Sequence, residues 1–157
     1  MKLPETTEWA LHSVTALAQV PGESVSARQL ADHFGLPAPY LSKQLALLVR
    51  AGILFASTGP RGGFRLAQPA SRLTLLDVVE AIDGAADPYV CKEIRQQGRG
   101  AAPPEECSEQ CLLAEKMRQA HLAWRESLRA VVIAELVDSL GEEVAGRIRT
   151  SLMRVEG

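Results

Sequence analysis

The sequence predicts a mainly α-helical fold with one small β-hairpin, arranged as a winged helix-turn-helix followed by a long C-terminal helix. Three observations carry this expectation. Only 4 % of the 157 residues are aromatic while 46 % are hydrophobic, so the core is built from Ala, Leu and Val, a mixture that favours helices over sheets. Apolar residues recur with helical spacing from Glu5 to Arg50. Two short apolar runs then flank the glycine-rich segment Thr58-Gly59-Pro60-Arg61-Gly62-Gly63, the pattern of a hairpin.

The elements follow in order. Ala10, Leu11, Val14, Leu17 and Ala18 form one stripe of a first helix running from Glu5 to about Val20, stopped by Pro21-Gly22. Ser26 is the N-cap of a short second helix that passes Leu30 and ends at Phe34, before the turn Gly35-Leu36-Pro37. In the third helix Leu41, Leu45 and Leu48 stand at i, i+4 and i+7 and face inward, so Tyr40, Ser42, Lys43 and Gln44 face out. Ala51-Gly52 closes it. Ile53–Ser57 and Phe64–Ala67 read as the two strands. Helical spacing returns from Thr74 to Ile82, with Asp83-Gly84 as its stop. A loop broken by Pro88, Gly98, Gly100 and Pro103-Pro104 follows, and it holds the first cysteine. From Glu105 to about Leu140 the pattern predicts one unusually long helix, and 142–155 a weaker one.

The charge pattern points to a local partner surface. A net charge of −2 argues against a protein that coats nucleic acid over its whole surface. Between Ser24 and Gln68, however, Arg28, Lys43, Arg50, Arg61 and Arg65 oppose the single anion Asp32, a local charge of +4. No apolar run approaches a membrane span and the first ten residues lack a secretory segment, so a cytoplasmic protein without a membrane partner is expected. Three cysteines in a reducing compartment make a disulfide framework the weakest account of them. No Ser-His-Asp set, phosphate-cradling glycine loop or metalloprotease motif is present, so neither catalysis nor a small-molecule substrate is expected.

Three helices followed by a hairpin place the third helix in a major groove of double-stranded DNA. Ser42, Lys43 and Gln44 are then candidates for phosphate or base contacts, with Tyr40 and Arg28 beside them; Gln pairs bidentately with adenine. Arg61, at the hairpin tip between glycines, suits a narrow minor groove. The competing reading is a solvated helix and an ordinary hairpin.

The segments Pro39-Tyr40-Leu41-Ser42-Lys43, Gly59-Pro60-Arg61-Gly62-Gly63-Phe64-Arg65-Leu66 and Leu73-Thr74-Leu75-Leu76-Asp77-Val78-Val79 together resemble the Rrf-two family of bacterial transcription regulators, over roughly residues 1 to 137. The resemblance implies a homodimer crossed by the long C-terminal helix, palindromic DNA half-sites and, in several branches, an iron-sulfur sensor. It implies a DNA-binding domain at 1–84, a cluster-binding loop at 85–104, and a dimerisation helix with a tail at 105–157.

Cys91, Cys107 and Cys111 are spaced C-x15-C-x3-C, the last two predicted on adjacent turns at the start of the long helix, where the macrodipole favours thiolates. Inert buried thiols are the alternative. The spacing alone does not choose between zinc and iron. Glu8 and His12 stand at i, i+4 on helix one and project from one side, which by itself is also the pattern of a surface pair. In the family, an acidic residue near this point reaches across the dimer to the partner's cluster, so Glu8 matches a ligand position. With His12 added and the first cysteine gap widened, the set resembles the RsrR-type redox-sensing branch, in which a 2Fe-2S cluster is held by cysteines of one subunit and Glu and His of the other. The candidate ligands are therefore Glu8, His12, Cys91, Cys107 and Cys111, with Cys91 and Cys111 preferred among the thiols. Trp9 is a candidate for packing over the cluster, though core or dimer packing is the simpler role for it. His33 and His121 read as structural.

The resulting expectation is a dimeric regulator whose operator affinity follows the redox state of an intersubunit 2Fe-2S cluster. The alternatives are the same regulator sensing nitric oxide or cluster loss, and a zinc-stabilised interaction module.

Overall fold

A computed structural model describes residues 2–154. Its helices are α1 (Glu5–Leu17), α2 (Ala27–Phe34), α3 (Ala38–Arg50), α4 (Leu75–Asp83), α5 (Leu112–Arg129), α6 (Ile133–Asp138) and α7 (Glu142–Leu152), and its strands are β1 (Leu54–Ser57) and β2 (Gly63–Leu66). Single 3₁₀ turns lie at Ala70–Arg72, Ile94–Gln96 and Pro104–Cys107. Among the described residues, 2–84 and 128–154 form one compact unit, and Ala85–Ser127 a second.

The larger unit is built around the stripes read from the sequence. Ala10, Val14 and Leu17 of α1 are buried against Leu41, Leu45 and Leu48 of α3, with Leu30, Ile53, Leu54, Leu73, Val78 and Ile133 completing an aliphatic core. α1 ends at Leu17, three residues before the expected limit, because Pro21 disfavours helical backbone just ahead of it. Ser26 caps α2 as expected: its hydroxyl accepts from Gln29 N–H, and the Gln29 side chain accepts from Ser26 N–H. Gly35, with φ +66°, supplies the left-handed residue that ends α2.

The hairpin is antiparallel, with Leu54 opposite Leu66 and Ser57 opposite Gly63. A third short strand segment adds to it, because Val25 and Phe64 exchange both backbone hydrogen bonds at 3.0 and 2.8 Å. Gly63 is required there: a Cβ would lie 2.6 Å from the carbonyl carbon and oxygen of Val25. Thr74, expected as the first turn of α4, is its N-cap and closes a capping box with Asp77.

One expectation is corrected. The single long helix from Glu105 to Leu140 is divided into the 3₁₀ turn at Pro104–Cys107, an irregular link, α5, an extended step and α6. At its start, the Ser108 hydroxyl donates to Glu105 O at 2.9 Å, a local bond that competes with helix propagation. At its end the β-branched run Val131-Val132-Ile133 is drawn into extended pairing with Leu73–Leu75. There Leu75 N–H donates to Val131 O at 3.0 Å and Ile133 N–H to Leu73 O at 2.8 Å. α7 ends at Leu152, and Val155 of the expected tail helix lies outside the described residues. Among the described residues no helix is long and apolar enough to cross a membrane.

Candidate functional site

α3 presents a narrower outward surface than its spacing suggests. Lys43 is exposed, with its ammonium 5.5 Å from the centre of the Tyr40 ring, and Tyr40 is itself 60 % exposed. The pair is a cation–π contact that holds the lysine head over the face of the helix. The Ser42 hydroxyl donates back to Ala38 O at 2.8 Å, so it offers a partner only its lone pairs. Gln44 is half-buried. Arg28, on α2, faces Asp32 at 3.7 Å across one helical turn, and both side chains are largely exposed. Arg61 is exposed at the hairpin tip, in a turn closed by Gly62 N–H donating to Gly59 O at 2.8 Å, with Gly59 at φ +99°. On the outer face of the hairpin Arg65 stacks over Phe55 at 4.5 Å, cross-strand partners that the sequence reading had not singled out.

The cysteines lie in the smaller unit. Cys107 ends a 3₁₀ turn and Cys111 stands one residue before α5, which corrects their expected place on adjacent turns of one helix. All three thiols are free and half-buried. The Cys111 thiol is pushed below its ordinary value, first by the backbone N–H of Ala114, then by that of Leu113, by a hydrogen bond with Cys91 and by the charge of Arg95. These N–H groups are the unpaired donors of the first turn of α5, so the helix start stabilises a thiolate directly. Cys91 thus acts on the Cys111 thiol although nineteen residues separate them in sequence. Cys107 enters only through the field of Arg95.

Arg95 is the residue the sequence reading missed. Its Nε and Nη2 donate to the two carboxylate oxygens of Glu93 at 2.5 and 2.8 Å, and Nη2 also reaches Glu109 O at 3.4 Å. The bidentate pair lowers the Glu93 carboxyl and raises the guanidinium further above its ordinary value. Glu93 adopts φ +52°, a left-handed conformation costing a non-glycine residue roughly 1 kcal/mol. An acid and a base two residues apart beside a cysteine were the available signal.

Glu8 and His12 lie on α1, both exposed, at the edge of an open cleft of about 280 Å³ that Leu3, Thr7 and Leu11 also line. The Thr7 hydroxyl is buried with no hydrogen-bond partner among the described residues. The His12 ring leans on Phe34, the last residue of α2, with centroids 5.9 Å apart. Trp9 is half-buried and packs against the core. Among the described residues no three His, Cys, Asp or Glu side chains of one chain gather around a common metal position.

The family described as Rrf2, iron-dependent transcriptional regulator, matches residues 3–139. Over 144 residues the chain is 27 % identical to YwgB of Bacillus subtilis (strain 168), covering 90 % of this chain and 88 % of that one. The solved structure of T. potens IscR superposes with a TM-score of 0.68 at 18 % identity, covering 100 % of this chain and 94 % of the other. That of CymR, the global cysteine regulator of B. subtilis, gives 0.67 at 20 % identity, covering 90 % and 99 %. At such identities the two structures establish the shared fold. The match over nearly the whole chain establishes more: this protein belongs to the Rrf2 family of transcriptional regulators.

Proposed function

We propose that the protein is a homodimeric DNA-binding regulator whose operator affinity follows the redox state of a 2Fe-2S cluster shared between subunits. Cys91 and Cys111 would ligate one iron, and Glu8 and His12 of the partner subunit the other, with Cys107 outside the set. The observation that carries this reading is the place of Cys111 immediately before α5, where the N–H groups of Ala114 and Leu113, and then Cys91, bias its thiol towards the thiolate that a metal requires. The donor set fits: two soft thiolates beside a fixed positive charge suit iron-sulfur chemistry, and an imidazole is a known second type of ligand there. Bound there, the cluster would supply storage of one electron, at a potential raised by imidazole on one iron.

The chain's own residues provide the route from that site to DNA. His12 leans on Phe34, and Phe34 meets His33 edge to face at 4.5 Å, so a change of charge facing the imidazole is felt at the C-terminal end of α2. α2 packs on α3, and α3 carries Tyr40 and Lys43. A shift of about 1.4 kcal/mol in their placement changes DNA affinity tenfold. Dimerisation is supported by α5, whose 18 residues include none that is buried and which exposes Leu112, Leu113, Met117 and Leu122. Both ring nitrogens of His121 on the same helix are buried without a hydrogen-bond partner among the described residues. A second copy packed on this helix would cover the apolar face.

The test is a stepwise anaerobic reduction of freshly isolated protein with dithionite, with gel retardation of a duplex that the protein has selected from a random-sequence pool. A change of about tenfold or more between the two states is expected. Equal retardation in both overturns redox control, and a change that appears only when iron is released assigns the signal to cluster loss instead.

A further inference from the structure

The C-terminal helix α7 begins beyond residue 139, the last position the family matches, and none of the site residues discussed above lies on it. It is nevertheless joined to the reading unit by an unusual contact. Gln29 uses both ends of its side-chain amide. Its Oε1 accepts from Ser26 N–H at 2.9 Å, which completes the cap of α2, while its Nε2 donates to Leu152 O at 2.9 Å. Leu152 is the last residue of α7, and its carbonyl is one of the four that a helix C-terminus leaves without an internal donor. One glutamine therefore closes the start of α2 and the end of α7 together. One turn further along α2, His33 Nδ1 meets Ser151 Oγ at 2.7 Å. Gln29 and His33 stand at i, i+4 and so form one strip of α2. Beneath the polar contacts Leu152 is fully buried in the core, with Ala145 and Ile148 on the same face of α7 turned inward.

α2 has eight residues, too few to hold a helix on its own in water. Leu30 and Ala31 fix one side of it against the core, and α7 fixes another. We infer that α7 is a brace for the DNA-reading unit: Gln29, Ser151 and Leu152 are positioning residues that hold α2, and through it α3, at the angle at which α3 meets DNA. The inference rests on DNA binding and is independent of the cluster. It makes DNA affinity depend on a segment that carries none of the candidate DNA contacts.

Gln29→Glu separates this role from the stability of α2. A carboxylate at this position still accepts from Ser26 N–H and suits the positive end of the helix, but it cannot donate to Leu152 O. Leu152→Ala loosens the same contact from the other side without a change of charge, and Leu152→Met is its conservative control. Full-length protein is titrated against the duplex selected by the wild type from a random-sequence pool, and amide hydrogen exchange is followed in α2 and α7. Both Gln29→Glu and Leu152→Ala are expected to expose α7 to exchange and to weaken binding about three- to tenfold, the range set by one ordinary hydrogen bond. The dependence of affinity on salt should stay unchanged, because every phosphate keeps its cationic partner. Leu152→Met should restore the affinity, and the double variant Gln29→Glu/Leu152→Ala should lose less than the product of the single losses. Affinity within about twofold of wild type in folded Leu152→Ala with α7 released, or wild-type protection of α7 in both variants, overturns the brace. A wild-type protein that selects no duplex overturns it as well, by removing DNA binding itself.

Discussion

Neighbouring residues of α3 should fail in opposite ways when each is replaced. Leu45 is fully buried in the core, and Leu45→Ala removes its side chain beyond Cβ from a packed site. A substitution of that kind costs about 2 to 5 kcal/mol, a large part of the roughly 5 to 15 kcal/mol that holds a domain of this size together. With about 2 to 4 °C of Tm per kcal/mol for a chain of 150 to 250 residues, the melting point should fall by roughly 4 to 20 °C. Lys43→Ala, two positions earlier, removes an exposed ammonium whose contact in the free protein is the Tyr40 ring. That loss is worth about 0.5 to 1 kcal/mol, so Tm should move by only a few degrees, about 4 °C at most. DNA binding divides the two the other way. Lys43→Ala should reduce the slope of log affinity against log salt by about 0.9 for each phosphate deprived of its lysine, hence by about 1.8 if two half-sites are engaged. Leu45→Ala, assayed well below its melting point, should keep the slope. Thermal melts and fluorescence anisotropy at four salt concentrations measure both quantities. A Lys43→Ala slope equal to wild type would refute the placement of α3 against DNA. A Leu45→Ala protein melting with wild type would refute the packing that places it.

Gly63→Ala must displace the carbonyl of Val25, 2.6 Å from the new Cβ, so a loss of about 1 to 3 kcal/mol is expected in urea unfolding; a neutral effect would mean that the bridge between Val25 and Phe64 does not hold the hairpin. Burial lowers the pKa of His33, so the unfolded chain takes up its proton more readily than the folded one. Stability should therefore fall as pH drops through the ordinary imidazole value near 6.5, and His33→Gln should flatten that fall in denaturant titrations; an identical pH profile would discount the residue. Cys111→Ser should abolish iron retention after anaerobic isolation while Cys107→Ser keeps it, and equal losses would show that the helix start beside Cys111 does not select the ligands.

Legibility in the sequence followed the range of the interactions. Ser26, Gly35, the leucine row of α3 and the glycine hairpin act through neighbours a few residues away, and each could be read in place. The division of the C-terminal helix could not, because Val131 and Ile133 leave helical geometry to pair with Leu73 and Leu75, more than fifty residues earlier. Periodicity registers the apolar positions but not the partner that claims their backbone. Of the candidate site, the residue types were visible and their company was not. Nothing local distinguishes Cys107 from Cys111, yet it is Cys111 that sits under the first N–H groups of α5 and is biased towards the thiolate by them and by Cys91. Arg95 took its meaning from Glu93 and the nearby thiols, and Gln29 from a carbonyl 123 residues away. Spacing alone makes Ser42, Lys43 and Gln44 equivalent outward side chains, whereas Ser42 has turned back to its own helix.

In the proposed regulator, thiolates of one subunit and a carboxylate and imidazole of the other share one inorganic centre. Visible absorption with iron and sulfide analysis of oxygen-free protein tests it most directly, taken for the wild type and for Glu8→Ala/His12→Ala. A coloured wild type with two irons and two sulfides per cluster, and a double variant that has lost or altered the chromophore, is the predicted result. Colourless wild-type protein containing zinc, or a chromophore that survives the double substitution unchanged, would contradict a centre shared in this way.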